Sequence, residues 1–139
     1  MRKQTLFVVA AVLLALVGCK SANSPTATFK TFFEAQKKKD IPGMKQVLSK
    51  TSLLMMEASA KEQGVTLDKF LQQQLDNPAS KTDKLPESRN EKINGDQATL
   101  ELHNEDAQRW DTMYFVKEGG AWKIALDRTI EEILKKSGA

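Results

Sequence analysis

The chain has 139 residues, room for one compact domain with one hydrophobic core once any leader is removed. Its charged and apolar fractions, 28% and 40%, are those of an ordinary soluble globular protein. The formal +3 falls when residues 1–18 are set aside: removing Arg2 and Lys3 from 21 basic residues leaves 19 against 18 acidic, a net +1. Nucleic acid is therefore not an expected partner. A lone cysteine, Cys19, excludes an internal disulfide, no Cys/His grouping has metal-site spacing, and no cofactor is implied.

Residues 1–19 open with two cations and run into the wholly apolar stretch Leu6–Val17. Those twelve residues are too short to span a bilayer core of about 30 Å, but they suit a secretory signal. The stretch closes Leu16-Val17-Gly18-Cys19, which resembles the lipobox of bacterial lipoproteins. The resemblance implies cleavage between Gly18 and Cys19, with diacylglyceryl transfer to the thiol and anchoring through two or more acyl chains. An ordinary secretory signal with a chance cysteine is the competing reading. The resulting division is a signal peptide at 1–18, a tether at 19–24 and a single domain at 25–139. Lys20 stands where, in such lipoproteins, aspartate favours inner-membrane retention. The expected location is thus the cell envelope, at the outer membrane (periplasmic side or surface) if the cell has one.

Ser24-Pro25 supplies an N-cap followed by proline at the first helical position. Phe29, Phe32 and Phe33 then share one helical face, and Lys37, Lys38 and Lys39 complement the helix dipole at the end. Asp40-Ile41-Pro42-Gly43 breaks the chain and opens a short helix with Met44, Val47 and Leu48 inward. Thr51-Ser52 can cap a third helix to Gly64, with Leu53, Leu54, Met55, Met56 and Ala58 as its apolar stock. Thr66 caps a fourth helix, Leu67–Leu75, with Phe70, Leu71 and Leu75 on one side, and Asn77-Pro78 stops it. Residues 79–86 read as a polar linker.

A β region follows. Gly119-Gly120, between two β-rich runs, predicts a hairpin over Arg109–Asp127 because that pair allows the positive φ of a two-residue turn. In that register Glu118 faces Ala121, Phe115 faces Ile124 and Met113 faces Leu126, so Met113, Phe115, Trp122, Ile124 and Leu126 form one layer. Gln97–Asn104 alternates, and the loop Glu105–Gln108 brings Ala98, Leu100 and Leu102 opposite Phe115, Met113 and Asp111. A turn at Gly95-Asp96 would set Ile93, Glu91 and Arg89 opposite Ala98, Leu100 and Leu102. Asp127 is the expected cap of a final helix, Arg128–Lys136, with Ile130, Ile133 and Leu134 on one face.

Helices followed by a meandering antiparallel sheet make an α+β domain with a short C-terminal helix. The phenylalanine-rich helix Phe29–Asp40, Gly95–Thr99 and the Gly120–Ile124 hairpin arm together resemble the nuclear-transport-factor-2-like superfamily, and more narrowly its bacterial lipoproteins of unknown function. A cystatin-like helix-on-sheet arrangement is the runner-up. The resemblance implies a curved sheet whose concave side, roofed by helices, forms a pocket. Some relatives are isomerases or dehydratases, and others only bind.

Enzymes of this kind need an acid–base group inside the cone. Strand parity puts His103, the sole histidine, on the outer face as a solvated residue. It puts Arg89, Glu91 and Asp111 inside, beside Met113 and Phe115; the competing reading gives these charges to a solvated sheet edge. The expectation is a non-catalytic ligand- or protein-binding domain, with a small isomerase- or dehydratase-like enzyme as the alternative. On the outer face, Trp110, Tyr114 and Val116 line up beside Ala125, apolar enough for a homodimer or an envelope partner. The competing cover is the last helix, folded back through Ile130, Ile133 and Leu134.

Overall fold

In the computed structural model, which describes residues 24–81 and 83–138, the chain forms five α-helices and a four-stranded antiparallel sheet. The leader, the lipobox and Cys19 lie outside the described residues. The helices are α1 (Pro25–Lys38), α2 (Ile41–Val47), α3 (Lys50–Glu62), α4 (Leu67–Asp76) and α5 (Leu126–Ser137). The strands are β1 (Ser88–Asn94), β2 (Gln97–Asn104), β3 (Arg109–Glu118) and β4 (Ala121–Ile124), in the order β1-β2-β3-β4. Helices and sheet segregate along the chain, as in an α+β domain.

Local chemistry sets the helix ends. Ser24 is extended and its hydroxyl accepts from the Ala27 N–H at 3.1 Å, with Pro25 at the first helical position. Lys39 adopts a left-handed φ of 54°, closing α1 with its N–H on the Gln36 carbonyl. Asp40 then caps α2 through Gly43, whose N–H lies 3.0 Å from Oδ1. A Cβ at Gly43 would stand 2.3 Å from the other carboxylate oxygen, so a larger residue there would displace the capping side chain. The lysine triplet is partly engaged: Lys39 pairs with Asp76 at 2.7 Å, and the Lys37 ammonium sits 5.8 Å from the Phe33 ring centre.

The third helix starts earlier than the sequence suggests. Ser49, not Thr51 or Ser52, is its cap, accepting from the Ser52 N–H at 3.1 Å. Residues Leu48 and Ser49 are held extended against β4, where the Ser49 N–H donates to the Ile124 carbonyl at 2.9 Å. Ser52, with no exposed surface, becomes a buried hub instead. Its hydroxyl lies 2.7 Å from Ser49 Oγ, 3.0 Å from Asp127 Oδ1 and 2.8 Å from the Leu126 N–H. Leu53 and Met56 pack on the core, whereas Leu54 and Ala58 are exposed, against the expectation that both belong to the apolar stock.

The sheet register agrees with the alternation in sequence over most of its length. Ala98 faces Phe115, Leu100 faces Met113 and Leu102 faces Asp111. Across the hairpin Phe115 faces Ile124 and Glu118 faces Ala121, with positive φ at Gly119 and Gly120. The expected pair of Met113 with Leu126 does not form, because β4 ends at Ile124 and Leu126 opens α5. Both backbone groups of Tyr114 are still satisfied: its carbonyl accepts from the Ala125 N–H at 2.8 Å, and its N–H donates to Thr129 Oγ1 at 3.0 Å. Hence α5 takes over the β3 edge that β4 leaves. Asp127 is in the first turn of α5 and binds Ser52, so it is not the cap; Ala125 holds that position without a side-chain bond.

The core joins Phe29, Phe32, Met44, Leu48 and Leu71 from the helices to Ala98, Leu100, Phe115, Trp122 and Ile124 from the sheet. Phe115 and Ile124 have no exposed surface. Burial declines along β2 and β3 away from the hairpin turns, so Leu102 and Met113 are only partly covered. The domain is packed shut at one end and open at the other.

Candidate binding cleft

A cleft of about 560 Å³ occupies the open end, within the range of roughly 300–1,000 Å³ typical of small-molecule sites. Leu102 and Met113 come from the inner layer of the sheet, and Ile133 and Thr129 from α5. The opposite wall is formed by Lys81, Asp83, Lys84 and Pro86, and the β2–β3 loop closes the end with Glu105 and Asp106. Lys84 pairs across to Glu105 at 3.7 Å, an exposed contact of the kind worth little by itself. The surface is amphipathic: aliphatic side chains beside carboxylates and ammonium groups.

Two of the expected pocket residues line this cleft, Asp111 and Met113. Phe115 is sealed in the core behind them. Asp111 accepts from Arg109 Nε at 2.8 Å and Asn104 Nδ2 at 3.1 Å, which keeps its carboxylate hydrogen-bonded and paired.

Arg89 and Glu91 do not enter the cone together. The strand pairing shifts between Arg89 and Lys92, with Asn90 at a left-handed φ of 53°, so that Asn90 and Glu91 both oppose Leu100. This bulge moves Arg89 opposite Glu101 rather than Leu102 and turns it to the outer face. There its Nε bonds Glu101 at 2.8 Å and its guanidinium lies 3.8 Å from the Trp110 ring centre. The Arg89 guanidinium, and next the Asn90 amide at 2.6 Å, hold the Glu101 carboxyl below its ordinary 4.5. Glu91 turns to α1, where its carboxylate accepts the N–H of Thr26 at 2.8 Å and also the Thr26 hydroxyl. It caps a helix and does not line the cleft.

The outer face is half-buried. His103 is tilted against Trp110, ring centres 5.0 Å apart, so it is not the freely solvated residue the alternation suggests. Trp110, Tyr114 and Val116 are partly covered, and Arg128 of α5 lies 5.4 Å from the Tyr114 ring centre. Ala125 is buried rather than part of an exposed patch. Nor does α5 cover the aromatics through its aliphatic face: Ile130, Ile133 and Leu134 remain 42%, 40% and 50% exposed. Arg89 and Arg128 lie over the two aromatic rings, and Trp110 also borders a groove with Ile133.

The wall of Lys81, Asp83, Lys84 and Pro86 and the contribution of Ile133 are not apparent as site features in the sequence. Leu85 is the one signal for the wall, a lone aliphatic residue in a polar stretch, and it packs on the core. Among the described residues no group of three His, Cys, Asp or Glu side chains is placed to hold a metal ion, and no helix is long and apolar enough to cross a membrane. No protein family matches the chain, and neither a curated protein nor a solved structure is similar to it.

Proposed function

We propose that this protein is a lipid-anchored envelope lipoprotein whose domain, a cone of the nuclear-transport-factor-2-like kind, binds a ligand or protein partner without chemical turnover. The observation that carries the binding reading is the cleft: Leu102, Met113 and Ile133 present apolar surface beside charged groups, in a volume suited to a small amphipathic molecule. The carboxylates expected to do acid–base work favour binding over catalysis, since Glu91 caps α1 and Asp111 is paired with Arg109. A long first helix across β4, β2 and β1 supports the cone-like fold. The lipobox ending in Cys19 supports the anchor.

Binding is tested with an environment-sensitive anilinonaphthalene dye and with amphiphile panels in thermal shift. Met113→Trp should fill the cleft and reduce dye binding several-fold while circular dichroism stays unchanged. Dye binding that ignores this substitution would place the ligand elsewhere. A compound that is chemically converted, with conversion lost in Asp111→Asn, would establish the isomerase- or dehydratase-like alternative. The anchor is tested separately: Cys19→Ser should move the protein out of the membrane fraction.

A further inference from the structure

Three of the five large aliphatic side chains that stay exposed among the described residues belong to one helix: Ile130, Ile133 and Leu134 of α5. Their i, i+3, i+4 spacing gathers them into one stripe. The helix is not free to roll that stripe onto the sheet, because its first turns are pinned. The Leu126 N–H donates to Ser52 Oγ at 2.8 Å, Thr129 Oγ1 accepts the Tyr114 N–H at 3.0 Å, and Arg128 lies over the Tyr114 ring. Thr129, the buried residue of α5, marks the side turned to β3. The stripe is thus held in place and uncovered, so that little ordering is needed when something covers it.

The charges along α5 indicate what that cover is. Acids precede bases beside the stripe: Glu131 and Glu132, then Lys135 and Lys136. Within the helix Lys135 meets Glu131 at 2.9 Å and Glu132 at 3.5 Å, exposed contacts that are worth little singly. A second α5 laid antiparallel, crossing at Glu132, would set Ile130 against the partner's Leu134 and Glu131 beside the partner's Lys135. A two-fold axis repeats both contacts in the other direction. A parallel copy would instead set Glu131 beside Glu131 and Lys135 beside Lys135, like charges along the seam. An anionic lipid surface gains little here, because the four charges cancel. The face is complementary to itself, in apolar pattern and in charge alike.

We infer that α5 is a homodimer interface: two copies of this chain pair their α5 helices antiparallel and bury Ile130, Ile133 and Leu134 between them. The dimer expected on the outer sheet face through Trp110 and Tyr114 gives way to this one, since Arg89 and Arg128 lie over those rings. A helix of 12 residues is about 18 Å long, and its stripe falls short of the roughly 800 Å² per partner of a standard stable interface. The association is accordingly weak and concentration-dependent. Ile133 also lines the cleft, so the seam adjoins the rim of each copy's cleft.

The test is the mass of the full-length protein in mild detergent, read by light scattering with the detergent contribution subtracted, over a series reaching high micromolar concentration. The wild type should rise towards twice the protomer mass. Ile130→Asp with Leu134→Asp should stay at the protomer mass with an unchanged circular dichroism spectrum, because both positions are exposed. Glu131→Lys and Lys135→Glu should each weaken the dimer several-fold. Their equimolar mixture should restore it, since an all-basic seam then meets an all-acidic one. A wild type that stays at the protomer mass throughout overturns the dimer. A dimer that survives the double substitution overturns α5 as its seam. Single charge variants that pair as well as the wild type, or a mixture that pairs no better than either, overturn the antiparallel register.

Discussion

The two ends of the sheet are built from one continuous layer yet behave as different materials. Near the turns, Ala98, Leu100, Phe115 and Ile124 are shielded by α1, α2 and the Leu48–Ser49 bridge. Two residues further along β2 and β3, Leu102 and Met113 face a cleft instead. The difference is one of cover: β4 stops at Ile124, and α5 replaces it only along the β3 edge. Stability is therefore concentrated at the turn end, and recognition surface at the other. Five substitutions sharpen or break that contrast.

The largest effect is expected from Phe115→Ala. Removing a fully buried aromatic side chain costs about 3–5 kcal/mol, and the loss should appear as a much lower urea midpoint. Ser52→Ala comes next: it leaves the Leu126 N–H and the Asp127 carboxylate without their partner, at about 1–3 kcal/mol by the same measurement. Glu91→Ala, at the exposed junction of β1 and α1, removes a cap and should cost about 1 kcal/mol while dye binding at the cleft is retained. A greater loss from Met113→Ala than from Phe115→Ala would invert the comparison.

The smallest effect is pH-linked. Arg89 holds the folded-state pKa of Glu101 below 4.5, so the pair's contribution is complete above that unfolded value and is lost as pH falls through the lower folded one. The melting-temperature difference between wild type and Arg89→Gln should therefore be greater at pH 7 than at pH 3. A residue of the difference should persist in acid, because the stacking of Arg89 on Trp110 does not titrate in this range.

Most of the register was legible because a glycine pair fixed the hairpin and alternation did the rest. It failed where a local conformational choice outweighed the pattern. Asn90 takes a left-handed conformation that asparagine tolerates better than most residues, and the resulting bulge carries Arg89 to the other face. The residues after Ile124 continue an alternating pattern, yet helix formation from Leu126 is favoured by the buried Ser52 network, a contact spanning 74 residues of sequence. No local pattern reports such a partner. In the cleft, Asp111 and Met113 were legible from parity, but the wall of Lys84 and Pro86 depends on tertiary docking of Leu85 between them. For α3, compositional apolarity overstated burial: Leu54 is exposed because Ser52 and Ala60 define the face that packs.

The capping of α1 and α3 by strand carboxylates has a kinetic consequence. Thr26 is bonded to a residue 65 positions later, and Lys50 to one 68 positions later. Ribosomes deliver both helix starts long before they deliver Glu91 or Glu118. Helices of 14 and 13 residues are marginal in isolation in water, so the N-terminal half should fluctuate until the strands arrive. Productive folding is then expected to be late, cooperative and slow for a domain of this size, with loop closure between the two halves at the barrier. Truncation before β3 should yield a chain with little stable helix, although α1 to α4 would already have been synthesised.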